Sequence, residues 1–177
     1  YRLKIISLFI IFYFFSFNLI AKNIAVVNVE YLIDNNPNYL EIIKRIEKSQ
    51  KSILEDFNLK EKELKKLSIE IEESKLILSE EEINSNIDNY NNKLNDFSIL
   101  VDSFNSHYQN EIINIRTIIL NKIILLLEQY ASKNDIELIL DSKSYLIASN
   151  SLDITNNIFN ELKESNIDLE YKDFETN

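Results

Sequence analysis

Two apolar seams at heptad spacing, placed end to end around a run of serine and glutamate, constrain this chain more than any other feature. The first passes through Ile43, Ile46, Gln50, Ile53, Phe57, Lys60, Leu64, Leu67, Ile71, Ser74 and Leu78 in steps of three and four. Eight of these eleven positions are apolar and most residues between them are charged. So narrow a stripe belongs to a coiled-coil seam rather than to the broad buried face of a globular helix. The second seam is cleaner: Ile83, Ile87, Tyr90, Leu94, Phe97, Val101, Phe104 and Tyr108 are all apolar or aromatic. Between them, Ser79 precedes Glu82 by three residues, which is a capping box, and Glu80, Glu81 and Glu82 suit the positive end of a new helix dipole. One unbroken helix over 37–133 would run about 145 Å with its seam unpaired. Two seams of matching size instead predict an antiparallel hairpin over 37–108 with its tip near 78–82.

Asn36-Pro37 marks the start of the first helix, with asparagine as cap and proline where a missing N–H costs nothing. Beyond Tyr108 the steps Phe104, Tyr108, Ile112 are two successive fours, a stutter that unwinds a left-handed supercoil. Apolar residues then occupy nearly every side of the helix from Ile112 to Leu127, so this stretch is predicted to be buried as the root of the hairpin. Lys133-Asn134 ends it, with asparagine suited to a left-handed position.

Short β-branched runs flank the hairpin. KNIAVVNVEYLI predicts a strand at Ile24–Val29, and IELILDSKSYLIASNSLDIT predicts strands at Ile136–Leu140 and Tyr145–Ala148. A hairpin returns the chain to its origin, which brings the first strand beside the later ones. Ile24 and Val26 on one face of that strand, and Ala25, Val27 and Val29 on the other, are all apolar. A sheet this small is not expected to cover two faces from one chain. The fold class read from the sequence is therefore α+β: a long helical hairpin projecting from a small β body that subunits share. That body spans 22–36 and 109–165, and its oligomer contacts are assigned to Ile24, Val26, Val27, Val29, Ile136, Leu138, Leu140, Tyr145 and Ile147. Asp153 or Thr155 starts a short helix at Ile154–Lys163, and the acidic remainder, 166–177, is expected to fray.

Composition narrows the chemistry. The chain has no glycine, cysteine, methionine or tryptophan, and its one proline is Pro37. Gly-rich phosphate loops, dinucleotide fingerprints and nucleophile elbows all need glycine, and disulfides or thiolate sites need cysteine. The net charge of −10 argues against a broad nucleic-acid-binding face. Tyr1–Lys4 is cationic, Ile5–Ile20 is almost wholly apolar, and Ala21 follows. This pattern describes an export signal cleaved after Ala21, and losing Arg2 and Lys4 would take the charge to −12. The rival reading is an uncleaved anchor that holds a structural or tethering coiled coil in the envelope.

Individual residues add no catalysis. His107, the one histidine, is expected to be a solvated helix residue without metal or catalytic partners. Asp141 is expected to close a hairpin and Asp153 to cap a helix rather than to form an acid–base pair. Phe57, Tyr90, Phe97, Phe104 and Tyr108 are read first as packing between the helices and second as client contacts. Glu80–Glu82 is read as a solvated capping cluster. No catalytic, cofactor or metal residue is assigned.

The signal segment, the strand KNIAVVNVEYLI, the long helical hairpin and the segment DIELILDSKSYLIASNSLDIT together resemble the Skp/OmpH family of periplasmic chaperones over nearly all of 22–165. The final segment is the most specific, because its aliphatic strand, tyrosine-bearing strand and DIT helix start occur in order. The resemblance implies a jellyfish-like homotrimer with a β body, helical tentacles around a cavity, and ATP-independent capture of unfolded outer-membrane proteins until insertion. It implies contact with self, with those clients and transiently with a membrane surface; the acidic charge, separately, argues against a nucleic-acid partner. The best-known members are strongly basic, whereas this chain is acidic at Glu70, Glu72, Glu73, Glu80, Glu81, Glu82 and Asp88. No lipopolysaccharide site carries over to any position here. The local basic stretch of Lys44, Arg45, Lys48 and Lys51 is the one candidate for charge-driven capture.

Overall fold

The computed structural model describes residues 23–175, and the expected signal segment lies outside them. The elements run β1 (Ile24–Val27), α1 (Val29–Asp34), α2 (Pro37–Ser74), α3 (Glu80–Lys133), β2 (Leu138–Asp141) and α4 (Thr155–Glu164), with 3₁₀ turns at Ser142–Ser144 and Asn150–Leu152. Two long helices dominate, and the sheet has two strands.

The first three helices each start where a capping side chain accepts from a free N–H group. Asn28 Oδ1 accepts from Tyr31 N–H at 2.9 Å and begins α1, so Val29 is the first residue of a helix and not the end of a strand. Asn36 Oδ1 accepts from Tyr39 N–H at 3.1 Å, with Pro37 at the first helical position of α2. The helix breaks over residues 75–79 without glycine or proline. Ser79 and Glu82 form the expected capping box, with Ser79 N–H and its hydroxyl donating to the Glu82 carboxylate at 3.0 and 2.7 Å. At the far end of α3, the left-handed residue is Asp135 (φ 53°) and not Asn134. Ile136 N–H then reaches Ala131 C=O at 2.9 Å, the long bond of a Schellman closure.

Contacts between α2 and α3 run in opposite senses: Tyr39 meets Arg116, Ser49 meets Tyr108, and Phe57 meets both Phe104 and Phe97. The helices are therefore antiparallel. This return lets β2 pair with β1 in parallel, in the register Ile24–Leu138, Ala25–Ile139, Val26–Leu140 and Val27–Asp141. A parallel pair needs a crossover connection, and here the whole helical pair is that connection.

Three expectations about the β segments change. No strand forms at Tyr145–Ala148. Tyr145 lies half-buried in an irregular stretch, and Leu146 and Ile147 are almost fully exposed. Asp141 does not close a hairpin; its carboxylate accepts from Val29 N–H at 3.2 Å and ties β2 to the start of α1. Finally, β1 does not need a neighbour to bury both faces. Ala25 and Val27 join the cluster of Ile115, Ile119, Ile123 and Ile158. Val26 is 3% exposed, and its carbonyl accepts from Ile154 N–H where the chain bridges to Asp153.

The core sits at the root, where Leu32, Ile115, Ile119, Ile123, Ile158 and Leu162 are inaccessible to solvent. Arg116 fastens this root from outside, donating to Asp34 at 2.7 Å and to Tyr39 Oη at 3.1 Å. Those two hydrogen bonds raise the guanidinium pKa. The apolar stretch 112–127 is buried on one side only, leaving Ile113, Leu120, Ile124 and Leu125 exposed.

Candidate functional site

Along the helical pair, the seam closes at some levels and opens at others. Phe57, Ile71, Phe104 and Tyr108 are buried. Ile53, Leu64, Leu67, Ile83, Ile87, Tyr90, Phe97 and Val101 are half-buried, and Leu94 is exposed. Phe57 is the hub, with ring centroids 5.7 Å from Phe97 and 5.1 Å from Phe104, both edge-on. Such edge-on pairs contribute beyond simple burial.

Towards the tip from Phe57 the next seam position is Lys60, whose ammonium cannot enter an apolar interface without a partner. The pair opens there. A cleft of about 720 Å³ has Leu64, Leu67, Phe97 and Leu100 in its walls and a rim of both charges, with Lys60, Lys66 and Lys93 beside Glu63, Glu70 and Asp96. A depression of about 430 Å³ lined by Leu54, Phe57, Leu94, Phe97 and Val101 exposes the seam again. Leu100 lies outside the heptad positions read from the sequence and nevertheless packs against the core.

The tip presents a different surface. Leu76 and Ile77 are 95% and 84% exposed, and Glu80, Glu81 and Asp88 edge a shallow acidic hollow. Hydrogen bonds from the Ser79 side chain and backbone hold the Glu82 carboxyl below its ordinary value. Among the described residues no group of three His, Asp or Glu side chains could hold a metal, and no helix is long and apolar enough to cross a membrane.

The tail is not placed as a frayed end. Residues 171–175 lie against α2 and α3, with Tyr171 and Phe174 half-buried, and just before them Ile167 is buried and Leu169 half-buried. Arg45, from the basic stretch, stacks on the Tyr171 ring at 5.3 Å. Burial and then Asp173 raise the Tyr171 pKa. Tyr108 Oη bonds Ser49 at 2.8 Å, and Ser49 donates to Asp173 at 2.7 Å. His107 is more than a solvated helix residue. Its Nε2 bonds Lys172 C=O at 2.7 Å, and its ring lies 5.5 Å from Phe174. The period-two pattern Ile167, Leu169, Tyr171 was the available signal for this docking.

A helical pair with an incompletely closed apolar seam and a small sheet at its root offers the kind of open apolar surface that can hold another polypeptide. The model of the family "Outer membrane protein (OmpH-like)" matches residues 23–162, and the chain belongs to that family. General holdase-type chaperone function goes with that membership, and the family is not enzymatic. The fold is also similar to a crystal structure from Caulobacter crescentus CB15 described as an outer membrane chaperone (OmpH-like). The TM-score is 0.73 at 9% identity, over 88% of this chain and 92% of that one. No curated protein matches the chain.

Proposed function

We propose that this protein is a periplasmic holdase, exported by a signal cleaved after Ala21, that keeps unfolded outer-membrane β-barrel proteins soluble until insertion. The observation that carries this reading is the open seam, where half-buried Leu64, Leu67, Phe97 and Leu100 lie under a rim of mixed charge. An unfolded barrel strand exposes alternate apolar residues and unpaired backbone, the combination that aggregates. Full burial of one aliphatic side chain is worth only about 1.5–3 kcal/mol, and partial burial in an open cleft less. Several such contacts hold a client, and none commits it, so release needs no nucleotide.

The working assembly is a homotrimer with the helical pairs as coiled-coil tentacles around a cavity. Support comes from apolar surface at the root that this chain leaves uncovered: Leu138, Leu146, Ile147 and Leu152 near β2, and Ile113, Leu120 and Ile124 on α3. Tyr145 and Ile147 then gain strand partners from a neighbouring copy.

The test is dilution of a urea-unfolded outer-membrane barrel protein into buffer with residues 22–177 at near-stoichiometric trimer. Light scattering is expected to stay near the level of buffer without client. Scattering as high as with client alone would overturn the reading.

A further inference from the structure

We infer that His107 and Glu111 of α3, with Arg45 of α2 and the Phe104 wall, form a binding groove for non-native chain carrying apolar residues at alternate positions. The tail 166–175 is its resident occupant, which a client must displace. The inference deepens the holdase reading and rests on it for the identity of the client.

The tail supplies the pattern of the ligand. Ile167, Leu169 and Tyr171 turn inward while Asp168, Glu170 and Lys172 are exposed, and Phe174 follows at the groove. That alternation is the one a barrel strand carries in its unfolded chain. The tail lies beyond residues 23–162, which match the family model.

The groove treats main chain and side chain separately. One turn apart on α3, His107 Nε2 bonds Lys172 C=O at 2.7 Å and Glu111 accepts from Lys172 N–H at 3.1 Å. Both polar groups of one residue's backbone are thereby satisfied by side chains. A clamp on backbone reads no sequence, which suits a holdase that must accept many chains. Selectivity for apolar alternation comes from the flanking sites: Arg45 stacked on Tyr171, and Phe174 edge-on to Phe104 at 5.6 Å. Phe174 and Glu175 line the cleft together with Leu64 and Leu67, so the groove is continuous with that cleft.

An occupant tethered to its own site competes at high effective concentration, and the apparent client affinity falls by the fraction of time the groove is free. Three forms of the full chain test this. Tyr171→Ser with Phe174→Ser releases the tail. Ser49→Cys with Asp173→Cys, in a chain that has no other cysteine, allows a short bis(methanethiosulfonate) to pin it: each thiolate forms a disulfide to the linker and displaces methanesulfinate, and reduction reverses both bonds. His107→Ala with Glu111→Ala, added to the released form, removes the clamp. Against a fluorescent, urea-unfolded barrel protein, the pinned form is expected to bind about tenfold more weakly than the same protein after reduction. The released form is expected to bind at least as tightly as the reduced one. Equal affinity of pinned and reduced protein would overturn the inference. If no form holds the barrel protein, the holdase reading has failed, and the groove is read separately with a labelled peptide of residues 166–177. That peptide is expected to bind the released form and to lose about tenfold in affinity without His107 and Glu111. No binding to the released form, or binding unchanged without the clamp, overturns the groove itself.

Discussion

Single polar residues decide where this chain's helices begin. In a sequence without glycine, Asn28, Asn36 and Ser79 each turn the backbone out of an extended conformation and accept from an N–H three residues on. The Ser79–Glu82 pair is also sensitive to acid. Hydrogen bonding from Ser79 lowers the Glu82 pKa from its ordinary 4.5. A depressed carboxylate stabilises above its unfolded value and loses that contribution as pH falls through the folded one. Amide protection in the first turn of α3 is therefore expected to be full at neutral pH and to fall progressively as pH drops below 4.5. Glu82→Gln, which keeps an accepting oxygen but does not titrate, is expected to flatten this dependence. Hydrogen exchange across the acid range checks both, and an unchanged profile in the variant would remove Glu82 as the cause.

At the scale of elements, the paired helices α2 and α3 are held by an aromatic hub and stand open beside one charge. Phe57 locks the pair between Phe97 and Phe104, and a turn later the seam position is Lys60, at the rim of the open cleft. Lys60→Leu is expected to raise stability by about 1 kcal/mol through added apolar burial. It should also narrow the cleft and weaken client capture severalfold. Urea titration and client binding on one preparation check this. If stability rises and capture is unchanged, the cleft plays no part in holding clients.

For the whole molecule, the sheet at the root divides into a self-sufficient part and an unfinished part. Val27 is 2% exposed within one chain, so Val27→Asp would report on folding. Leu138, Leu146 and Ile147 are exposed, and a charge there leaves the subunit's own core intact. Leu138→Asp with Ile147→Asp is expected to preserve helix content by circular dichroism while reducing the sedimenting species from the proposed trimer to monomer. An intact trimer in that variant would show that these residues lie outside the subunit interface.

What could be learned from residues alone was whatever depends on local periodicity and on neighbours three or four apart. Heptad spacing sufficed for two long helices, Ser79-x-x-Glu82 for the break between them, Asn36-Pro37 for a start, and the β-branched runs for β1 and β2. Contacts across long separations were beyond it. Heptad spacing passed over Leu100, because which off-seam residue fills the groove depends on how the two helices are set against each other. The tail read as a solvated end, because its acidity is local but its alternate apolar residues gain a surface only once Arg45, Ser49, His107 and Glu111 stand side by side. The burial of β1 and the bare 145–148 segment were likewise decided in three dimensions. Whether an apolar face is covered depends on which distant segment arrives beside it, and nothing within a few residues of that face can specify the arrival.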